Sequence, residues 1–136
     1  MKRQNILLAV VIPGALAIST ACAAQTPPAS RTILQRAPVA TSPVQETILA
    51  TVNIAPRTGN PPHFHNGSEM AVVIEGRIQL NVQGQPSRTL GPGESFYVPR
   101  GVIHNSTPLG DVPVKLVNTW TVDKGGELLI PASPRP

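Results

Sequence analysis

The sequence predicts an all-β, antiparallel fold, a sandwich or barrel built as one domain. Three observations carry this. Apolar residues recur with period two in several separate stretches, turn-forming residues punctuate those stretches at short intervals, and no helical period of useful length follows the N-terminal segment. The first alternating stretch sets Ile48, Ala50, Val52 and Ile54 against Thr47, Leu49, Thr51 and Asn53. In the second, Ile78, Leu80 and Val82 alternate with Arg77, Gln79, Asn81 and Gln83. The third sets Val114, Leu116, Asn118, Trp120 and Val122 against Lys115, Val117, Thr119 and Thr121. Successive side chains of a strand point to opposite faces, so each stretch puts one face on a core and the other nearer solvent. Met70 to Ile74 is a continuous apolar run, which predicts a strand covered on both sides. Turn signals at Arg57–Pro62, Asn66-Gly67, Glu75-Gly76, Gln83–Pro86, Gly91–Gly93, Pro99–Gly101 and Leu109–Asp111 separate the strands.

The chain has 136 residues, a length that suits one domain. Its first 24 residues have the order of a secretory signal peptide: a short basic start at Met1–Asn5, an apolar run from Ile6 to Ile18, then the small residues Ser19–Ala24. Cleavage after Ala23 or Ala24 would release the domain to the periplasm or the extracellular space. Ser19-Thr20-Ala21-Cys22 also resembles a degenerate lipobox, and lipid on Cys22 would hold the domain at a membrane instead. Residues 25–43, rich in Pro, Ala, Ser and Thr, read as a tether. Residues 44–130 then form the β domain and 131–136 a disordered tail.

Cys22 is the only cysteine, so the domain has no disulfide framework, thiolate zinc site or cysteine nucleophile. Without Lys2 and Arg3 the basic residues fall from 11 to 9 against 7 acidic ones, a net charge of +2. The basic residues are scattered, and two Phe, one Tyr and one Trp provide no stacking platform, which argues against nucleic acid as a partner.

The stretch "GNPPHFHNGSE", Gly59 to Glu69, concentrates chemistry. On a strand His63 and His65 share a face and Phe64 takes the other. Asn66-Gly67 is a two-residue turn signal, so the chain is expected to double back and bring Glu69 beside the histidines. Two imidazoles and a carboxylate on one patch suit a divalent metal. The third histidine, His104, closes "GESFYVPRGVIH", a strand followed by a Pro-x-Gly turn.

Together these stretches resemble the two motifs of the cupin family. The first, H-x-H, three or four residues, E, six residues, G, is matched by His63, His65, Glu69 and Gly76. The second, G, five residues, P-x-G, two residues, H, is matched by Gly93, Pro99, Gly101 and His104. The resemblance runs from about Ile48 to Val122 and is similar to that of small, single-domain, quercetin-dioxygenase-like secreted cupins. Two positions depart from it. Arg57 stands where the first motif opens on Gly, with Gly59 expected to supply the turn, and Pro108 stands where the second often ends on Asn.

The resemblance implies a jelly-roll (double-stranded β-helix) barrel that pairs as a homodimer. It also implies a divalent transition metal, Fe, Mn, Ni, Cu or Zn, held by His63, His65, Glu69 and His104. Three imidazoles and one carboxylate leave coordination positions open for a small molecule or dioxygen. The expected function is a metal-dependent, dioxygenase-like enzyme acting on a small organic molecule. The alternatives are a non-catalytic module binding a metal or small ligand, and a metal-dependent isomerase or lyase. Beyond the metal centre the one candidate catalytic group is Glu69, as a base. Asn118 lines the pocket, supports a ligand, or sits at a bulge; Trp120, Phe64, Phe96 and Tyr97 are assigned to packing; Arg77, Arg88 and Arg100 are read as solvated charges at strand ends.

Overall fold

The alternating stretches become strands because each can bury one face and pair its backbone with a neighbour. A computed structural model describes residues 28–132, and among these every regular element is a strand. In chain order they are β1 (Ala29–Val39), β2 (Ser42–Ile54), β3 (His63–Phe64), β4 (Gly67–Glu75), β5 (Ile78–Val82), β6 (Arg88–Leu90), β7 (Ser95–Val98), β8 (His104–Pro108), β9 (Val114–Asp123) and β10 (Ile130–Pro131). All pairings are antiparallel. They form two five-stranded sheets, ordered β1-β2-β9-β4-β7 and β10-β3-β8-β5-β6. From β3 onward the chain passes back and forth between the sheets, a path consistent with a jelly roll.

Each predicted alternation sets what the barrel encloses. In β5 Ile78, Leu80 and Val82 are buried, and in β9 Val114, Leu116, Asn118, Trp120 and Val122 are buried while the residues between them are half-exposed. Two apolar clusters result. One gathers Ile54, Val73, Ile78, Leu80, Val98 and Val114 with their neighbours; the smaller joins Ile48, Ala50, Trp120 and Val122.

Four expectations need correction. The tether over 25–43 meets a strand: Ala29–Val39 is β1, paired with β2 through a two-residue turn at Ala40-Thr41. Both faces of β1 are solvent-exposed almost throughout, so no apolar alternation marks it; its backbone bonds to β2 hold it in place. The tail was expected from 131, yet Pro131 pairs with His63 and the Ala132 N–H donates to the Pro62 carbonyl at 3.0 Å. The run Met70–Ile74 is covered on one side only: Ala71 and Val73 are buried, whereas Met70 is 57% and Ile74 42% exposed. The signal-peptide and lipobox readings at 1–24, with Cys22, lie outside the described residues.

Asn66-Gly67 is not the expected two-residue turn. β3 and β4 are not a hairpin, because they belong to different sheets and the chain crosses between them here. Gly67 is needed for close approach. A Cβ at this position would lie 2.0 Å from the Thr121 carbonyl oxygen and 2.6 Å from Val122 Cα, both backbone atoms of β9. The expected two-residue turn and the observed crossover both call for glycine, which is why the sequence signal misleads. Gly67→Ala is therefore expected to force β4 off β9 and lower unfolding free energy by about 3 kcal/mol, the upper range for overpacking. Urea denaturation checks this; an unchanged midpoint would show that β9 yields without cost.

Candidate metal centre

The site lies between the sheets, and each contributor comes from a strand whose register aims it inward. His63 opens β3 and pairs with His104, which opens β8; His104 also faces Val82 of β5. His65 follows at the crossover, so the two motif histidines share the inner face while Phe64 stays half-exposed. The opposite sheet supplies Glu69, third residue of β4, paired with Trp120 of β9. The Pro99-Arg100-Gly101 turn sets the second motif. The Val102 N–H returns to the Pro99 carbonyl at 3.3 Å, Gly101 adopts φ 73°, and its N–H donates to the His65 carbonyl at 3.0 Å. That last bond ties the two motifs together. The structure thus brings all four sequence-predicted residues into one cluster.

Hydrogen bonding sets the state of the three rings. His63 Nδ1 donates to the Pro61 carbonyl at 2.8 Å, His104 Nδ1 to Val102 at 3.0 Å, and His65 Nδ1 to Leu128. A carbonyl oxygen can only accept, so each Nδ1 carries a proton, and Nε2 is the atom through which a neutral ring would ligate. The ring centroids are 4.3–5.1 Å apart. Glu69 Oε2 lies 3.1 Å from His65 Nε2 and 2.8 Å from His104 Nε2. With neutral rings these are contacts between acceptors, stable only with a cation, a proton or a metal, at their centre. One ligand atom from each of the four residues lies within 4.8 Å of the rest. Metal bonds of about 2.0–2.2 Å put adjacent ligand atoms about 3 Å apart at right angles, so the donor set fits a first-row divalent ion.

Two neighbours support Glu69 and His65. Asn118 Nδ2 donates to Glu69 Oε1, fixing the carboxylate so that Oε2 faces the histidines. The indole N–H of Trp120 donates to His65 Nε2 at 3.2 Å, taking the lone pair that a metal would claim, so Trp120 borders the site and does not serve packing alone. Of the other residues assigned to packing, Phe96 is buried against the same cavity, whereas Tyr97 is 54% exposed on the outer face of β7. Arg100 pairs with Asp123, and Arg77 and Arg88 form no ion pair among the described residues. Arg57 has no contact with the site; it bonds to Asp111 with Nη2 at 2.7 Å.

The cavity at this cluster holds about 260 Å³, and two residues of its wall are not marked as site residues by the sequence. Asn60 accepts the Ser106 N–H, and Arg31 of β1 stands over Trp120 with its guanidinium carbon 5.7 Å from the ring centroid. Asn60 was findable, three residues before His63 in a turn; Arg31 carried no signal. A larger concavity of about 540 Å³ opens on the outer face between Met70, Arg88 and Tyr97. Among the described residues it contains no metal-ligating cluster.

Comparison with known proteins agrees with this geometry. The family described as cupin domain matches residues 50–120.

The chain belongs to the cupin family.

Among curated cupin relatives, germin-like protein subfamily T member 2 of Arabidopsis thaliana is 33% identical over 87 residues, covering 60% of this chain and 40% of that one. Oxalate oxidase GF-2.8 of Triticum aestivum is 28% identical over 88 residues, covering 59% and 39%. This cupin therefore spans about 40% of the length of such relatives. A solved structure of recombinant oxalate oxidase in complex with glycolate superposes with TM-score 0.61 at 25% identity, covering 76% of this chain and 55% of that one. DMSP lyase from Ruegeria pomeroyi DSS-3 shares the fold, with TM-score 0.60 at 23% identity, covering 66% and 45%.

Protonation follows from burial and from these bonds. Burial lowers the proton affinity of His63 from 6.5 to about 4, against the opposing bond to Pro61. Burial pushes the Glu69 carboxyl up, but hydrogen bonding to the His104 and His65 rings, through the proton held between them when no metal is bound, outweighs it and holds the group at about 2, below its ordinary 4.5. The signs agree. Between 6.5 and about 4 the unfolded chain takes up a proton at His63 that the folded chain refuses, so that stability is complete above 6.5 and lost as pH falls toward 4. The Glu69 contribution is complete above 4.5 and lost as pH falls through about 2. Metal-free protein in EDTA is expected to melt at progressively lower temperature from pH 7 to pH 4, followed by circular dichroism. A flat profile over that range would show that His63 is not held neutral by the fold.

Proposed function

We propose that this cupin is a metal-dependent, dioxygenase-like enzyme acting on a small organic molecule, with His63, His65, Glu69 and His104 as ligands of one divalent ion. The observation that carries the reading is the convergence of three histidine Nε2 atoms and one carboxylate oxygen, each imidazole already committed through Nδ1 to a backbone carbonyl. Imidazole and carboxylate donors suit Fe, Mn, Ni or Cu, with Zn also possible. When bound, such an ion supplies Lewis acidity and, for the redox-active metals, one-electron chemistry with dioxygen.

The chain's own residues do the rest. Nδ1 bonding keeps the rings in the ligating tautomer, and Asn118 holds Glu69 in one orientation. A carboxyl held at about 2 is a poor general base near neutral pH, so Glu69 is read as a ligand and not as a base. Ile54, Phe96 and Leu116 give the cavity apolar walls that exclude bulk water. The likeness to oxalate oxidases supports oxidation over isomerisation or elimination. Export through removal of residues 1–24 and pairing with a second copy of the chain complete the proposal.

Metal analysis of protein purified without oxygen, followed by oxygen-uptake assays on small organic acids, tests the reading. About one redox-active ion per chain is expected. His104→Ala is expected to lower metal content at least tenfold at micromolar metal, the scale of losing one ligand bond. Unchanged metal content and melting temperature in that variant would refute the four-ligand centre; bound metal with no oxygen uptake would favour the binding module.

A further inference from the structure

β1 lies in the stretch whose composition suggests a tether, yet Ala29, Ser30 and Arg31 form one wall of the cavity at the histidine cluster. Arg31 pairs with Val52, whose neighbours Ala50 and Ile54 face the interior, so it lies on the cavity side of the sheet. Among the described residues it is, apart from Glu69, the only Asp, Glu, Lys or Arg lining the cavity. Among the described residues it makes no salt bridge, whereas Arg36 on the same strand is paired with Glu46 at 2.6 Å. Its guanidinium rests over Trp120, which in turn touches His65, so the free charge stands one indole ring from the histidine cluster. Stacking on an aromatic face leaves the N–H edge of a guanidinium free for a planar anion.

A second feature borders the same cavity. Asn118 is 3% exposed, and its Nδ2 is committed to Glu69. Its Oδ1 is buried with no partner. Buried acceptors are rarely left unpaired, and this one calls for a donor. The cavity, about 260 Å³, is below the ~300–1,000 Å³ typical of ligand pockets, which limits the occupant to a small molecule.

We propose that this cavity takes a small hydroxy acid, its carboxylate on Arg31 and its hydroxyl donating to Asn118 Oδ1. β1 is then a specificity element that supplies the anion contact from outside the two family motifs. The inference rests on the metal reading above and narrows its substrate class.

The test is calorimetry on Mn(II)-loaded protein, with metal content measured in every sample. Three probes separate the contacts: glycolate, with both groups; acetate, without the hydroxyl; and glycolamide, without the charge. Glycolate is expected to bind about tenfold more tightly than either of the others, and to weaken with added salt. Arg31→Gln should erase the preference for glycolate over glycolamide, and Arg31→Lys should restore much of it, which a purely structural role of Arg31 would not produce. Asn118→Leu should erase the preference for glycolate over acetate among molecules that retain metal. If Arg31→Gln keeps the wild-type ratio of glycolate to glycolamide, the assignment of Arg31 is overturned while the metal centre stands. If wild-type protein takes up no Mn(II), the metal reading fails and this inference with it.

Discussion

Three backbone carbonyls, those of Pro61, Val102 and Leu128, decide what the interior of this barrel can be. An unconstrained imidazole can place its proton on either nitrogen and turn either edge inward. Each of these rings is anchored at Nδ1, so each exposes one lone pair in one direction. Two of the anchors are local, since Pro61 and Val102 each precede their histidine by two residues, a distance a turn closes without help from the fold. The third is not local. Leu128 reaches His65 only because β10 pairs with β3 and draws the end of the chain across the barrel. The C-terminal segment is thus part of the site, although no ligand atom comes from it.

The opposite sheet answers this arrangement. In β4 and β9 the inner positions run polar where they face the histidines and apolar elsewhere. Glu69 pairs with Trp120 and Ala71 with Asn118, and the next inner residues are Val73 and Leu116. Burying a carboxylate among aliphatic side chains is costly unless it is hydrogen-bonded and charge-compensated. Asn118 donates to one Glu69 oxygen, but the two imidazoles beside the other turn their Nε2 atoms toward it, so compensation of this buried charge falls to the proton or metal that the cluster holds.

What the sequence made legible follows from range. Strands with one buried face announce themselves through alternation, and β2, β5 and β9 were readable for that reason. The histidine pair was readable because two residues on one strand need only period-two geometry, and His104 because fixed motif spacing links it to a turn. Features set by distant register were not readable. The demand on Gly67 comes from β9, more than fifty residues away, and locally it has the same signature as a turn. Trp120 looked like core because nothing local shows that its N–H meets His65. β1 is exposed on both faces, so no burial pattern exists to be read, and Arg31 is invisible without knowing which edge β1 joins.

The position of Arg57 shows which part of a motif carries information. The family pattern has glycine there, and Gly59 was expected to replace it. Instead Arg57 itself takes the left-handed conformation, φ 57°, and Gly59 has no positive φ. The strain, about 1–2 kcal/mol for a residue with a side chain, is met by the surroundings. Thr58 bonds to the Ala55 carbonyl, and Asn60 exchanges bonds with Ser106 through its N–H at 3.1 Å and its side-chain oxygen. The loop is therefore held from both ends, by β2 before it and β8 after it. Glycine would make this conformation easier, but the six-residue span to His63 and the clamp on β8 are what aim the histidines. The motif's spacing outlives the loss of its glycine because register, and not the permissiveness of one residue, sets the direction of the metal-facing atoms.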